Sequence, residues 1–309
     1  MNSGTEANDL AWRIAKTISG NSGAVVTAHA YHGWTEAIIS ISPEELTEAQ
    51  IEPWVATVPP PGRGDQKLRI REAIARLDRC GHDPAALFID SAFSSDGIFD
   101  LTPGYLADLA GAVRERGGLF VADEVQAGLG RVGRRFWGFA GDRIMPDIVT
   151  LGKPLGNGYP VGAVVTTRSI AETFARDAYF FSTFGGNPVA AAAATTVLRI
   201  TLEEDLAGRA ERVGELLREG LAEALKSRGI EAIVRGPGSF VGVDLSSRER
   251  AVWLQEEMRR RGVLIGRTGP NRDVLKIRPP LVFTEEDAGV LLKAFSDSLD
   301  ALGDRPAVS

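Results

Sequence analysis

The feature that most restricts the fold is a spacing. Short runs of β-branched and apolar residues, at 24–27, 86–89, 119–122, 148–151 and 161–166, recur between helical stretches or long loops. Runs this short, apolar throughout rather than alternating, predict strands buried on both faces, as in a parallel sheet covered by helices. The connections agree with that reading. Residues 103–116 have a proline at the start and Gly117-Gly118 past the end, the punctuation of a crossover helix that delivers the chain to the strand at Leu119. At the beginning of the chain, Asn2-Ser3-Gly4-Thr5-Glu6 leads into Ala7, Leu10, Ala11, Ile14 and Ile18, a helical period that stops at Gly20.

Beyond Pro188 the pattern changes. An alanine-rich run through Leu198 predicts a long helix, and 206–228 predicts a second, amphipathic one. Strand candidates at 240–245 and 274–277 then alternate with helices at 249–261 and 285–302. The expectation is an α/β domain over 1–205 followed by a smaller α+β domain over 206–309.

Composition narrows the function. The formal charge of −6 comes from interspersed signs and lacks the basic footprint of a nucleic-acid binder, so Arg259-Arg260-Arg261 reads as the solvated end of a helix. The single cysteine, Cys80, excludes an intrachain disulfide and a Cys-rich zinc site, so no metal is expected, and a reducing, cytoplasmic setting is. No run of about 18 apolar residues occurs, and neither a membrane span nor a signal peptide is predicted.

Four places offer chemistry. Asp123-Glu124-Val125-Gln126 puts two carboxylates where an apolar strand stops, and the carboxyl ends of strands line the ligand crevice of open α/β sheets. Lys153 follows another strand candidate within Gly152-Lys153-Pro154-Leu155-Gly156, where glycines let the backbone approach a ligand. Such lysines serve Schiff-base chemistry when burial or a neighbouring cation favours the neutral amine. Ser182-Thr183-Phe184-Gly185-Gly186-Asn187-Pro188 offers hydroxyls and amides just before a helix, and Gly4 and Thr5 make the same offer to an anion at the first helix. Taken singly, each has a plainer reading: Asp123 as a turn cap, Lys153 as a solvated loop lysine, the helix starts as ordinary caps. Tyr31 and His32 likewise read as an aromatic at a strand end and a histidine in a turn.

In order and together, these stretches resemble the class III (ω-type) aminotransferases. The matching residues are Asn-Ser-Gly-Thr-Glu-Ala-Asn from Asn2, Tyr-His-Gly from Tyr31, Asp-Glu-Val-Gln from Asp123, Gly-Lys-Pro from Gly152, Thr-Phe-Gly-Gly-Asn-Pro from Thr183 and Arg-Gly-Pro-Gly from Arg235. The resemblance implies a fold type I transferase dependent on pyridoxal 5'-phosphate (PLP), with a mainly parallel sheet of the seven-stranded type. It implies that Lys153 holds the cofactor as a Schiff base and shuttles the proton. Asp123 is implied to pair with the pyridine nitrogen, Gln126 to lie near O3', and Tyr31 to stack on the ring. The amides of Gly4 and Thr5 are implied to hold the phosphate, joined by Thr183 from the other subunit of a homodimer. Family members carry a further segment before the Asn-Ser-Gly motif, so a chain truncated at its N-terminus, and even a non-catalytic fragment, is also an expectation.

The substrate side departs from the commoner pattern. Many members carry an arginine three residues before a Pro-Pro pair, where this sequence has Lys276, and Arg278 stands directly before Pro279-Pro280 instead. Lysine is a point charge rather than a planar fork, poorer for a carboxylate but still suited to a phosphate. This spacing is similar to the subgroup that acts as phospho-lyases on amino-alcohol phosphates such as ethanolamine phosphate. Lys276 and Arg278 are therefore candidate substrate residues. Asp90 is a second departure, at a position where the family often has glutamate. Gly128-Leu129-Gly130-Arg131-Val132-Gly133 spells the dinucleotide fingerprint, but the residues that follow do not read as the required helix, and turns are expected.

Overall fold

The computed structural model describes residues 1–303 and resolves them into two compact units. The first comprises Met1–Asp96, Leu101–Leu129 and Trp137–Glu204. Its six strands are β1 (Gly23–Thr27), β2 (Val55–Val58), β3 (Pro84–Ile89), β4 (Leu119–Asp123), β5 (Ile148–Leu151) and β6 (Ala163–Thr166). They form one sheet in the order β2-β1-β3-β4-β5-β6, parallel except for the last pair. The α/β, mainly parallel expectation is met, with six strands rather than seven among the described residues.

The strands at 24–27, 86–89, 119–122 and 148–151 fall where the apolar runs predict them. β1 and β3 are buried along their whole length, as a sheet covered on both faces requires. β2 was not expected; its four residues lie between Pro53-Trp54 and Pro59-Pro60, prolines that punctuate a strand and confine it to an edge of the sheet.

The helices of this unit are α1 (Gly4–Ser19), α2 (Glu36–Ile39), α3 (Gln66–Arg79), α4 (Tyr105–Arg114), α5 (Arg168–Asp177) and α6 (Pro188–Glu203). α1 starts because the Ser3 hydroxyl accepts the Glu6 amide, and it stops at Gly20, whose left-handed backbone directs its N–H to the Lys16 carbonyl. One face of α1, with Ala11, Trp12, Ile14 and Ala15, packs into a core shared with Val26, Phe88, Val121 and Ile148.

The second unit comprises, among the described residues, 205–303 together with Gly97–Asp100 and Gly130–Phe136. It holds α7 (Leu206–Lys226), α8 (Arg248–Arg260) and α9 (Glu285–Gly303) around an antiparallel sheet of β7 (Ile233–Arg235), β8 (Val241–Asp244), β9 (Gly266–Thr268) and β10 (Val274–Ile277), ordered β7-β8-β10-β9. Its core joins Leu217, Leu221 and Leu225 of α7 to Val241, Val243, Leu275, Ile277 and Phe295.

The division falls between Glu204 and Asp205, one residue before the expected boundary, but the two early excursions were not expected. Their cause is polar. The Arg235 guanidinium donates to the carbonyls of Ile98 (2.7 Å) and Gly97 (3.0 Å), pairs with Asp244 (3.0 Å) and lies over the Phe99 ring, while the Gly236 amide donates to Asp100. Arg131 in turn donates to the Ser239 hydroxyl and the Pro279 carbonyl. The glycine fingerprint at 128–133 forms turns, with no α-helix directly after it. Gly133 has φ +89° and lies so close to the Glu211 side chain that a Cβ there would collide with it.

Candidate active site

Parallel strands bring their carboxyl ends to one edge of a sheet, where carbonyls and loop side chains meet a ligand. In the first unit, Ile89 lies opposite Ala122 and Asp123 opposite Thr150. Asp90, Asp123 and the Gly152-Lys153 turn therefore arrive together, within two residues of their strand ends. A cavity of about 380 Å³ lies there, of a size that suits a small cofactor. Gly4, Thr5, Tyr31, Asp123, Gln126 and Lys153 all line it, as do Asn8, His32 and Asp90.

Each wall has a local cause. The start of α1 presents the amides of Gly4 and Thr5, which have no partner within the helix, and adds the positive end of the helix dipole. That start is seated by glycines: a Cβ on Gly152 would stand 2.9 Å from the Gly4 Cα, and one on Gly162 would stand 2.8 Å from the Ser3 carbonyl carbon. Gly162 also exchanges two backbone hydrogen bonds of 2.9 Å with Met1.

Lys153 opens a single 3-10 turn, Lys153–Gly156, with φ +26° and Pro154 next in line. Its side chain is exposed, and among the described residues its Nζ makes no hydrogen bond or ion pair. The burial expected to activate it is therefore not present in the chain by itself.

The carboxylate of Asp123 is 4 % exposed and collects three donors: the Val125 amide on Oδ1 (3.1 Å), and Asn8 Nδ2 (2.9 Å) and His32 Nδ1 (2.8 Å) on Oδ2. Gln126 donates to the Ser94 hydroxyl at 2.6 Å. Burial, with Glu45 and Glu44 nearby, pushes the Tyr31 phenol above its ordinary range and keeps it neutral.

Behind this wall sit two further buried acids. Glu124 accepts from Ser91 Oγ (3.0 Å) and from the amides of Gly138 (2.8 Å) and Phe139 (2.9 Å), and burial pushes it up to about 7. Asp96 accepts from Thr27 Oγ1 (2.6 Å) and the His29 amide (2.9 Å) and is pushed up to about 6, again chiefly by burial.

Three expected site residues lie elsewhere. Thr183 is exposed in the 178–187 segment and does not line the cavity, so a single chain does not bring it to the site. Lys276 and Arg278 line a separate cavity of about 560 Å³ in the second unit, with Pro279, Pro280 and Phe283. Asn8 was missed as a site residue. Its signal was present, since a polar side chain at position 8 falls on the face of α1 that buries Ala7, Ala11 and Ala15.

Aminotransferase class-III, as a family profile, matches residues 1–299. This chain belongs to the class III aminotransferases. The family's enzymes work with PLP, and the residues around the cavity suit that group: an amine, a carboxylate already fixed by donors, an aromatic ring, and open amides for a phosphate. This class III chain is similar to "Alanine--glyoxylate aminotransferase 2-like" of Drosophila melanogaster, at 35% identity over 98% of this chain and 67% of the relative. It thus spans about two thirds of that relative's length. Among solved structures, a phospholyase from Arthrobacter in complex with phosphoethanolamine superposes with a TM-score of 0.92, at 39% identity, over 99% of this chain and 76% of that one. An ornithine aminotransferase from Toxoplasma gondii, with partial occupancy of PLP at its active site, superposes with a TM-score of 0.83 at 27% identity, over 98% and 72%. Among the described residues no helix is long and apolar enough to cross a membrane, and no cluster of side chains is able to hold a metal ion.

Proposed function

We propose that the chain holds PLP in the cavity of the first unit and moves an amino group between an amine or amino acid and a keto acid or aldehyde, with Lys153 as the residue that carries the proton. The observation that supports this most strongly is the convergence of Gly4, Thr5, Tyr31, Asp123, Gln126 and Lys153, from four separate segments, on one cavity. Bound there, PLP supplies an aldehyde that captures amines and a ring that withdraws electrons from the substrate carbon.

The protein's part is binding, orientation and proton transfer. The amides of Gly4 and Thr5 hold the phosphate, and Tyr31 covers a face of the ring. Asp123 keeps the proton on the ring nitrogen, because a fixed carboxylate favours the charged form of a neighbouring base. The Lys153 Nζ would take the proton from the substrate carbon and deliver it to C4', the carbon of the cofactor's aldehyde. A second copy of the chain contributes Thr183, a reading supported by the exposed Tyr179, Phe181 and Phe184 around it.

A second reading, a phospho-lyase acting on an amino-alcohol phosphate, is favoured by the 39% identity to the Arthrobacter phospholyase and by lysine rather than arginine at position 276. It would use the same cofactor residues and differ in outcome, the substrate losing phosphate and ammonia rather than passing on its amino group. Incubation with PLP, borohydride reduction and peptide mapping tests the shared step, with a reduced adduct on Lys153 expected and its absence refuting both readings. Amine transfer to a keto acid then identifies the aminotransferase, whereas release of phosphate and ammonia from ethanolamine phosphate identifies the lyase.

A further inference from the structure

Asp123 has unusual company for a residue reserved for a cofactor atom. Asn8 and His32 both donate to its Oδ2, and the same Asn8 amide donates to the His32 carbonyl at 2.7 Å. The three residues are 1 %, 3 % and 4 % exposed, so water does not compete for these bonds. They come from α1, from the loop after β1 and from the end of β4, elements joined here by side chains rather than by strand pairing.

The histidine is oriented on both sides. Its ring lies against Phe88, with centroids 5.6 Å apart, and its backbone amide donates to Ser42 Oγ at 3.0 Å. With the ring fixed this way, Nδ1 faces a carboxylate that already accepts two other N–H groups, so Nδ1 carries a hydrogen. Nε2 is buried and, among the described residues, has no hydrogen-bond partner. A histidine kept for its own proton chemistry would aim a nitrogen at the reacting atoms, whereas the ring hydrogen bond of this one, among the described residues, goes to Asp123.

We propose that Asn8 and His32 are positioning residues that lock the Asp123 carboxylate, through Oδ2, in the orientation needed to meet the cofactor's ring nitrogen. The proposal rests on the function reading given above, and it deepens that reading by assigning two residues that act through Asp123 rather than on the substrate. Their bonds form without the cofactor, so the carboxylate needs no reorganisation when the ring arrives.

The test begins on the cofactor-free chain. With only three histidines, His29, His32 and His82, the ring nitrogens are readily followed by proton–nitrogen NMR, and the His32 signals are assigned by their loss in His32→Asn. A hydrogen on His32 Nδ1 is expected, and the opposite neutral tautomer, with Nδ1 bare, overturns the proposal. PLP titrations followed by absorbance come next. His32→Leu is expected to weaken PLP binding by about tenfold or more and to shift the visible band, which reports the protonation of the ring. His32→Asn, whose amide nitrogen reaches about where Nδ1 stood, is expected to recover most of the affinity and the wild-type band.

Thermal unfolding of both variants separates misfolding from misplacement, and the NMR result stands even if His32→Leu proves unstable. Wild-type uptake of PLP alongside an indifferent, folded His32→Leu overturns the brace alone. A wild-type chain that forms no adduct on Lys153 overturns the function reading itself.

Discussion

Gly162→Ala asks whether the start of α1 is a phosphate site or merely a helix cap. A Cβ at this position would stand 2.8 Å from the Ser3 carbonyl carbon and closer still to its oxygen. Ordinary carbon–carbon contact is about 3.5–4.0 Å, so the Ser3 carbonyl must retreat by about 0.7–1.2 Å. The two hydrogen bonds between Gly162 and Met1 hold these two segments together, and the shift is relieved only by weakening them or by moving Ser3. Ser3 caps α1, so moving it moves the Gly4 and Thr5 amides with it. Overpacking of this kind costs about 1–3 kcal/mol of stability. Two charge-assisted hydrogen bonds lengthened by that distance should lose about ten- to a hundredfold in PLP affinity, or roughly 1.4–2.8 kcal/mol. Parallel titrations with PLP and with pyridoxal, which lacks the phosphate, isolate the effect, with thermal unfolding of the cofactor-free variant as a control. The expected result is a selective loss for PLP. Equal losses for both compounds, or none for either, would refute the assignment of the phosphate to this helix start.

Three further outcomes are expected. Lys153→Ala should leave no borohydride-reducible adduct and lower amine transfer by about 10²–10⁴-fold, the usual worth of a positioned general acid–base; appreciable turnover would remove Lys153 from the chemistry. Glu124 is raised to about 7 by burial, so it binds its proton more tightly folded than unfolded. Its contribution to stability is fully present below the unfolded value near 4.5 and is lost as the pH rises through about 7. The difference in unfolding free energy between wild type and Glu124→Gln should therefore shrink from about pH 5 to about pH 8, by at most about 3 kcal/mol, and a flat difference in urea titrations would contradict the burial argument. Arg235→Ala strands Asp244 and two carbonyls of the 97–100 excursion and should destabilise the second unit by about 3–5 kcal/mol, measured by urea unfolding. A loss within about 0.5 kcal/mol, typical of a surface change, would show that the excursion is held by other contacts.

What the sequence determined by itself is what nearest neighbours encode. Apolar runs at 86–89 and 148–151 are strands because no other local structure buries them so completely, and Ser3 with Gly20 brackets a helix by capping chemistry that acts within four residues. Gly4, Thr5, Tyr31, Asp123, Gln126 and Lys153 were legible because each stands where an element begins or ends, in an order that resembles one family. Tertiary structure alone decided which of these ends meet. The order β1-β3-β4-β5 and its register put Asp123 beside Asp90 and two residues short of the Lys153 turn, through hydrogen bonds between segments about thirty residues apart that no local period records. The same is true of Arg235 gathering residues 97–100 into the second unit, and of Asn8 and His32 closing on Asp123. Both are side-chain contacts across more than ninety residues of chain, set by how packed elements approach one another rather than by what any one of them spells.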